Sequence, residues 1–331
     1  MKHRLSLILF VCGLISCNGQ EQFGTENLAL EKTIEMPGVA GRIDHMSINL
    51  KDNIVYVAAL GNNSVEVIDL NRGSLLHSIK GLDEPQGVAY VPETNELVVA
   101  NGGNGKCIFY NASDYQQVTT IDLGGDADNV RYDPVDGKIF VGYGNGGIAV
   151  IDAVTHQQIN KVELPAHPES FQIDQKNNLL LVNLPDNNSI AIIDLKSLQL
   201  MNTWKINNLG GNFPMALDPA GNTVIIGYRR PAMLVCYDAI TGKEINRADL
   251  ISDVDDVFYY PANKEIFASG GGGAINIFKK ANDGSYKKIA NIPTRNGART
   301  SLLTPSLQTL ILAERASGSK AAALAVYKIR H

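Results

Sequence analysis

Four cysteines, one tryptophan and six histidines among 331 residues leave most cofactor chemistries without their ligands. There is no Cys-x-x-Cys-His, which excludes a covalently attached c-type haem. His-Glu-x-x-His, Gly-x-Ser-x-Gly and a Walker loop are missing too, and with them the zincin, nucleophile-elbow and P-loop readings. The histidines do not form the rich ligand set of a copper redox site. Positive charge is short: 29 Lys and Arg stand against 34 Asp and Glu, a net charge of −5. With no basic stripe, the charge argues against electrostatic binding to nucleic acid. One local basic patch, Lys279-Lys280 with Lys287-Lys288, is expected on the solvated face of a hairpin.

The apolar run at residues 5–15 is too short to span a bilayer. Behind Lys2-His3-Arg4 it fits a secretory signal. Leu14-Ile15-Ser16-Cys17 resembles a bacterial lipobox, which implies cleavage before Cys17 and acylation of that residue. More than one acyl chain gives stable anchoring. The expected organisation is a signal over 1–16, a lipidated tether over 17–27 and a single domain over 28–331. Asn18 is not the Asp that retains lipoproteins at the inner membrane, so an outer-membrane address is expected. Cys12 leaves with the signal. Cys107 and Cys236 fall too far apart in the repeat register to meet the ~7 Å limit for a disulfide, and are expected as buried free thiols.

What the chain does have is a unit repeated seven times, about every 42 residues, from Ile43 onward. Asp128-Asn129-Val130-Arg131-Tyr132-Asp133-Pro134, Lys138-Ile139-Phe140-Val141-Gly142-Tyr143 and Gly147-Ile148-Ala149-Val150-Ile151-Asp152 form one copy, followed by a fourth run. Period-two alternation marks half-buried strands, and Pro, Gly, Asn and Asp mark the turns between them. Four strands at this period specify a β-propeller blade. The third position of each second strand is small (Ala58, Ala100, Gly142, Asn183, Gly227, Ser269, Ala313), as crowding near an axis requires. Asp69, Asp152, Asp194 and Asp238 each open a turn, a structural role. Gly102-Gly103-Asn104-Gly105 and the glycines at 270–273 lie between strands and read as tight turns rather than phosphate cradles.

The seventh copy supplies only three strands (298–305, 309–314, 322–328), while an orphan strand pattern, 28–36, precedes the first. The expected fold is therefore all-β: a seven-bladed propeller of four-stranded antiparallel blades, closed by residues 28–36 as the outer strand of blade seven. Val57-Ala58-Ala59 with Val65-Glu66-Val67-Ile68-Asp69, and Val99-Ala100-Asn101, resemble the repeat of the YVTN-type, YncE-like seven-bladed propellers. That resemblance implies an envelope or surface protein without established catalysis, and is nearly silent about activity.

Residues entering each innermost strand are expected at one mouth of the central channel: Asp44, Gln86, Asp128, Glu169, Phe213, Asp255 and Arg299. Two positions earlier stand Arg42, Asp126, His167 and Asp253; one position later stand His45, Asn129, Asp256 and Thr300. Carboxylates facing each other across ~8 Å at an effective dielectric near 20 repel by roughly 2 kcal/mol per pair. Compensation must come from Arg42 and Arg299, from raised pKa values, from water filling the channel, or from a bound cation. Neighbouring loops are expected to add Asn101, Tyr143, Asp186, Tyr228, Arg229, Arg230, Glu314 and Arg315, and the Arg229-Arg230 forks suit a carboxylate or phosphate.

Two functions are consistent with this ring. One is a lipid-anchored, monomeric, non-catalytic binding module without a cofactor, whose mouth (Asp44, His45, Gln86, Asp128, Asn129, His167, Glu169, Arg229, Asp255, Arg299) engages a small polar ligand or an envelope protein. The other is a metal-dependent hydrolase resembling the lactonase and phosphotriesterase propellers. That resemblance implies calcium held among Asp44, Asp128, Asn129, Glu169 and Asp255, with Asp255 or Asp256 as the base. His45 and His167 beside carboxylates suit zinc instead.

Overall fold

Short apolar runs broken by Asp, Asn and Gly turns fold into 28 strands in the computed structural model, which describes residues 27–330. The strands pair into seven four-stranded antiparallel sheets. Six are built from consecutive strands, and the seventh joins Ser301–Thr304, Thr309–Glu314 and Ala322–Ile329 to Leu28–Met36. This is the seven-bladed propeller closed by its N-terminal strand. The closing register runs antiparallel from Leu28 opposite Ile329 to Met36 opposite Ala322. The expected signal segment and most of the tether, Cys17 included, lie outside the described residues.

The apolar core is divided into seven layers, one between each pair of adjacent blades, because each second and third strand is buried on both faces. In the strand Ile54–Ala59, Val55 and Val57 pack toward blade seven, while Tyr56 and Ala58 pack toward blade two. That two-sided burial makes the strand read as a continuous apolar run. Closure feeds the same scheme: Ile34 and Met36 join the layer between blades seven and one, and Leu28 joins that between six and seven. The small third position has a visible cause at Gly227, where a Cβ would stand 2.8 Å from Pro214 Cγ and 3.0 Å from Val254 Cγ1 of the next blade.

Turn chemistry follows the residue types. Asp152, Asp194 and Asp238 each accept two backbone N–H groups and a hydroxyl from the turn they open, and Asp69 accepts two backbone N–H groups. The glycine runs close tight turns, with Gly105 N–H donating to Asn101 O and Gly273 N–H to Gly270 O. Cys107 and Cys236 are buried free thiols, each pushed up to about 12 by burial.

Two expectations need correction. The first strand of blade seven spans Ser301–Thr304, shorter than 298–305, because Arg299 and Thr300 turn to the cavities at the mouth while Ala298 packs into the layer between blades six and seven. The basic patch is not wholly solvated: Lys280 reaches blade five, 3.2 Å from Asp218, and lies over the Tyr286 ring.

Deleting residues 28–36 strips blade seven of its outer strand and empties part of two core layers. The truncated chain is expected to lose the cooperative thermal transition of the full chain. A deletion variant that melts cooperatively at the full-length temperature would refute this role.

Candidate functional site

Seven inner strands converge on one mouth, and six of them enter through the same local irregularity. In blades two, three, five and six the pairing slips between Pro85 and Gly87, Ala127 and Val130, Asn212 and Met215, and Val254 and Asp256. In blade one Asp44 N–H donates to Ala58 O while Ala58 N–H donates to His45 O, so two residues oppose one; Glu169 and Ser170 do the same against Asn183. A bulge breaks the alternation of the strand and re-aims neighbouring side chains. Consecutive residues therefore line the cavity together: Asp44 with His45, Asp128 with Asn129, Glu169 with Ser170. Just upstream, five blades place a residue in the left-handed region, namely Glu84, Asp126, Gly211, Asp253 and Gly297. That turn swings each strand toward the axis, and glycine or a short polar residue tolerates it best.

A ring of contacts between blades holds these entries in register. His45 N–H donates to Gln86 O, Gln86 Nε2 to Asp126 Oδ1, His167 Nδ1 to Gly144 O, and Asn183 Nδ2 to Phe213 O. Arg229 Nε donates to Val254 O, Ser301 N–H to Asp256 Oδ2, and Thr300 Oγ1 to Ile43 O. Between blades two and three the backbones nearly touch: a Cβ on Gly87 would meet Asp128 O at 1.9 Å.

The result is a cavity of about 400 Å³. All ten residues expected at the mouth line it: Asp44, His45, Gln86, Asp128, Asn129, His167, Glu169, Arg229, Asp255 and Arg299. So do Arg42, Asp126, Asp186 and Phe213. Asn145 and Ser170 were not anticipated. The Ser170 position follows from the bulge, which alternation alone does not reveal.

The charges divide into two lobes. Over blades five to seven Arg299 bridges Asp253 and Asp255 at 2.9 Å each, Arg229 pairs with Asp255 and stands 3.7 Å from Asp253, and its guanidinium lies 4.0 Å over the Phe213 ring. Arg42 pairs with Asp44 at 2.7 Å in blade one. Over blades three and four no arginine is ion-paired with Asp126, Asp128 or Glu169 among the described residues. His167 Nε2 stands 3.9 Å from Asp128 Oδ2, and Asp128 Oδ1 and Asn129 Oδ1 have no hydrogen-bond partner among the described residues. One ligand atom each from Asp128, His167 and Glu169 lies within 4.8 Å of the others. Asp255, expected among the metal candidates, belongs to the arginine lobe instead.

Titration follows from this layout. Burial raises Glu169, and Asp128 reinforces the shift. Burial opposes the charge on His167, but the bond toward Asp128, the Gly144 carbonyl and the charges of Asp126 and Glu169 outweigh it, so its pKa rises. Burial likewise works against His45, and Asp44, Asp256 and Asp128 overcome it. Burial lifts Asp256 from 3.8 to about 6.

Several candidates serve other ends. Asp256 does not line the cavity; its buried carboxylate accepts Ser301 N–H. Asp255 has both oxygens engaged by Arg229 and Arg299. Tyr228 is not a loop residue but a fully buried strand residue whose hydroxyl meets Tyr237. Asn101 is buried at a strand end, where it braces Asp83 N–H and Lys106 O. Glu314 is tied to Arg295 at 2.9 Å. Tyr143 lies beneath Lys161, 5.7 Å from ring centre to ammonium, and Arg230 is exposed. Arg315 flanks a smaller adjoining cavity. A groove of about 740 Å³ at the turns of blades one and two, around Tyr56 and Tyr90, gathers only Lys51 and Asp52 as charges.

No protein-family model matches the sequence, and no curated protein matches it. Among solved structures the fold is similar to a chain of the mitotic checkpoint complex, with a TM-score of 0.78 and 19% identity over 100% of both chains. It is also similar to Kuenenia stuttgartiensis hydrazine synthase, with a TM-score of 0.76 and 15% identity over 89% of this chain and 99% of that one. At such identities the likeness is one of fold alone.

Arg299→Met removes one of two cations from Asp255, whose side chain is 11% exposed. The expected loss is about 2 kcal/mol in chemical denaturation; an unchanged midpoint would show the lattice to be energetically idle. A pH series tests the other lobe. Asp256 binds its proton more tightly folded than unfolded, so its contribution falls as pH rises from about 4 to about 6. Glu169 extends that loss upward. The stability from His45 and His167 is complete below 6.5 and is lost as pH climbs through their raised values. Asp152, Asp194 and Asp238, held low by turn N–H groups, lose theirs only as pH falls below 3.8. The melting temperature in chelator is therefore expected to rise from pH 8 to pH 5. Asp256→Asn should flatten the acid side of that slope, and a maximum at pH 8 would contradict the assignment.

Proposed function

We propose that this chain is a cell-envelope binding module, anchored through Cys17, whose channel mouth takes up a small polar ligand bearing positive charge. The observation that carries this reading is the lobe over blades three and four. Asp126, Asp128 and Glu169 converge there with no arginine in ion-pair contact among the described residues, and buried Asp128 Oδ1 and Asn129 Oδ1 have no hydrogen-bond partner among them. A buried carboxylate oxygen left unpaired costs free energy that a cationic ligand recovers. The arginines opposite are consumed by Asp44, Asp253 and Asp255, so they do not offer the mouth to a free anion.

The lipobox-like Leu14-Ile15-Ser16-Cys17 and the resemblance to YVTN-type propellers support the envelope address and a role in binding. A hydrolase with Asp255 or Asp256 as base draws no support from the geometry, since both carboxylates are committed to structural partners.

The test is a thermal-shift series on the full chain with choline, spermidine and zinc chloride, and with inorganic phosphate as the anionic control. At a hundredfold excess over Kd a ligand stabilises by about 2.7 kcal/mol. At least one cation is expected to raise the melting temperature by several degrees, and Asp128→Asn to abolish the rise. Stabilisation by phosphate alone, or by no probe, would overturn the reading.

A further inference from the structure

We infer that Asp128, His167 and Glu169 form a binding site for a divalent first-row transition-metal ion of the zinc class. The inference rests on the reading that this lobe takes a cation, and names the cation.

Three observations carry it. The first is proximity: one ligand atom from each residue lies within 4.8 Å of the other two. Donors around a tetrahedral ion at about 2.0–2.1 Å stand about 3.4 Å apart, so modest rotamer changes complete the set. The second is the imidazole. His167 Nδ1 donates to the Gly144 carbonyl, which fixes the ring and turns Nε2 toward Asp128. A metal-ligating histidine is held in that way, its second nitrogen bonded to a carbonyl or carboxylate. The third is the orphaned oxygens. Asp128 is 6% exposed and Asn129 is 1% exposed, both line the cavity, and the Oδ1 of each has no partner among the described residues. Buried polar atoms in folded proteins are almost always paired. Here both unpaired atoms are oxygens, the donor type a cation requires.

The donor set also discriminates between ions. Calcium takes six to eight oxygens, and this group offers one nitrogen and two carboxylates, with Asn129 as a further oxygen. One imidazole with carboxylates suits zinc and its first-row neighbours. Two adjacent blades supply the ligands, Asp128 and Asn129 from the bulge of blade three and His167 and Glu169 from the entry of blade four. The backbone of Gly87 in blade two packs close against that bulge, where a Cβ would meet Asp128 O at 1.9 Å. A coordination position facing the 400 Å³ cavity would remain open to water or to an acceptor atom of a second ligand.

The experiment uses the full chain, stripped with chelator and titrated calorimetrically with zinc and with cobalt(II), the latter followed by its visible absorption. One ion per chain is expected, with a cobalt spectrum showing fewer than six ligands. His167→Ala should abolish that spectrum, and Glu169→Gln should weaken binding ten- to a hundredfold. Both variants are first shown to match the parent in metal-free circular dichroism and melting temperature. Should His167→Ala prove unstable, His167→Gln takes its place. Calcium is expected to bind far more weakly than zinc.

Absence of stoichiometric zinc or cobalt binding overturns the inference, as does binding that the Asp128, His167 and Glu169 variants leave unchanged. If no metal binds while choline or spermidine still stabilises the parent but not Asp128→Asn, the metal assignment fails and the cation-binding reading stands. If neither metals nor organic cations act, both fall together.

Discussion

The pairing of Leu28–Met36 with Ala322–Ile329 is the contact on which the rest of the molecule depends. A blade buries each of its middle strands on both faces, so no blade has a core of its own. Its side chains are covered only when a neighbour stands on either side. In an open array of seven blades the two ends would each expose an apolar sheet face. The N-terminal strand joins the two ends of the chain within one sheet, and its Ile34 and Met36 seal the layer between blades seven and one. Closure thus turns seven marginal units into one cooperative ring, at the cost of forcing all seven inner strands toward a single axis.

That convergence generates the site. Crowding between blades leaves room for only a small residue on the second strand where Gly227 meets Pro214 and Val254, and the innermost strands enter the mouth through bulges. The bulges aim consecutive side chains inward, so a ring of seven entries delivers more polar groups than seven positions can pair. Blades five to seven and one settle the excess internally with Arg42, Arg229 and Arg299. Blades three and four do not. Solvent-screened charge at an open mouth needs no partner, but Asp128 and Asn129 are withdrawn from water, and for them the deficit is real.

The architecture was legible because its determinants are local and periodic. Turn aspartates, small third positions and two-sided apolar runs recur at one spacing, and each was explained by the physics of a blade. The ring of mouth residues was legible for the same reason, since equivalent positions in a closed repeat meet in space. What periodicity does not carry is the direction of a side chain where the period breaks. Tyr228 and Asn101 sit at the ends of second strands and read as loop residues, yet one turns into the layer against Tyr237 and the other braces its own hairpin. Asp256 follows Asp255 directly, and the bulge sends it behind the wall rather than into the cavity. Division of the mouth into a compensated and an uncompensated lobe is a matter of which arginine reaches which carboxylate across blades, and no spacing rule encodes that.

The same separation explains why likeness of fold at 15–19% identity carries no function here. The residues that specify a blade lie in its turns, its two-sided strands and its small positions, away from the mouth. They are demanded by ring closure whatever the mouth binds. The mouth residues are released from that demand, because a bulged entry accepts nearly any side chain: Asp, Gln, Glu, Phe and Arg all occupy the equivalent place in this one chain. Propellers can therefore share every structural constraint and no ligand. Function in such a protein has to be argued from the mouth positions where closure leaves a polar group buried and unpaired, and in this chain Asp128 and Asn129 are two such positions, with His167 and Glu169 beside Asp128.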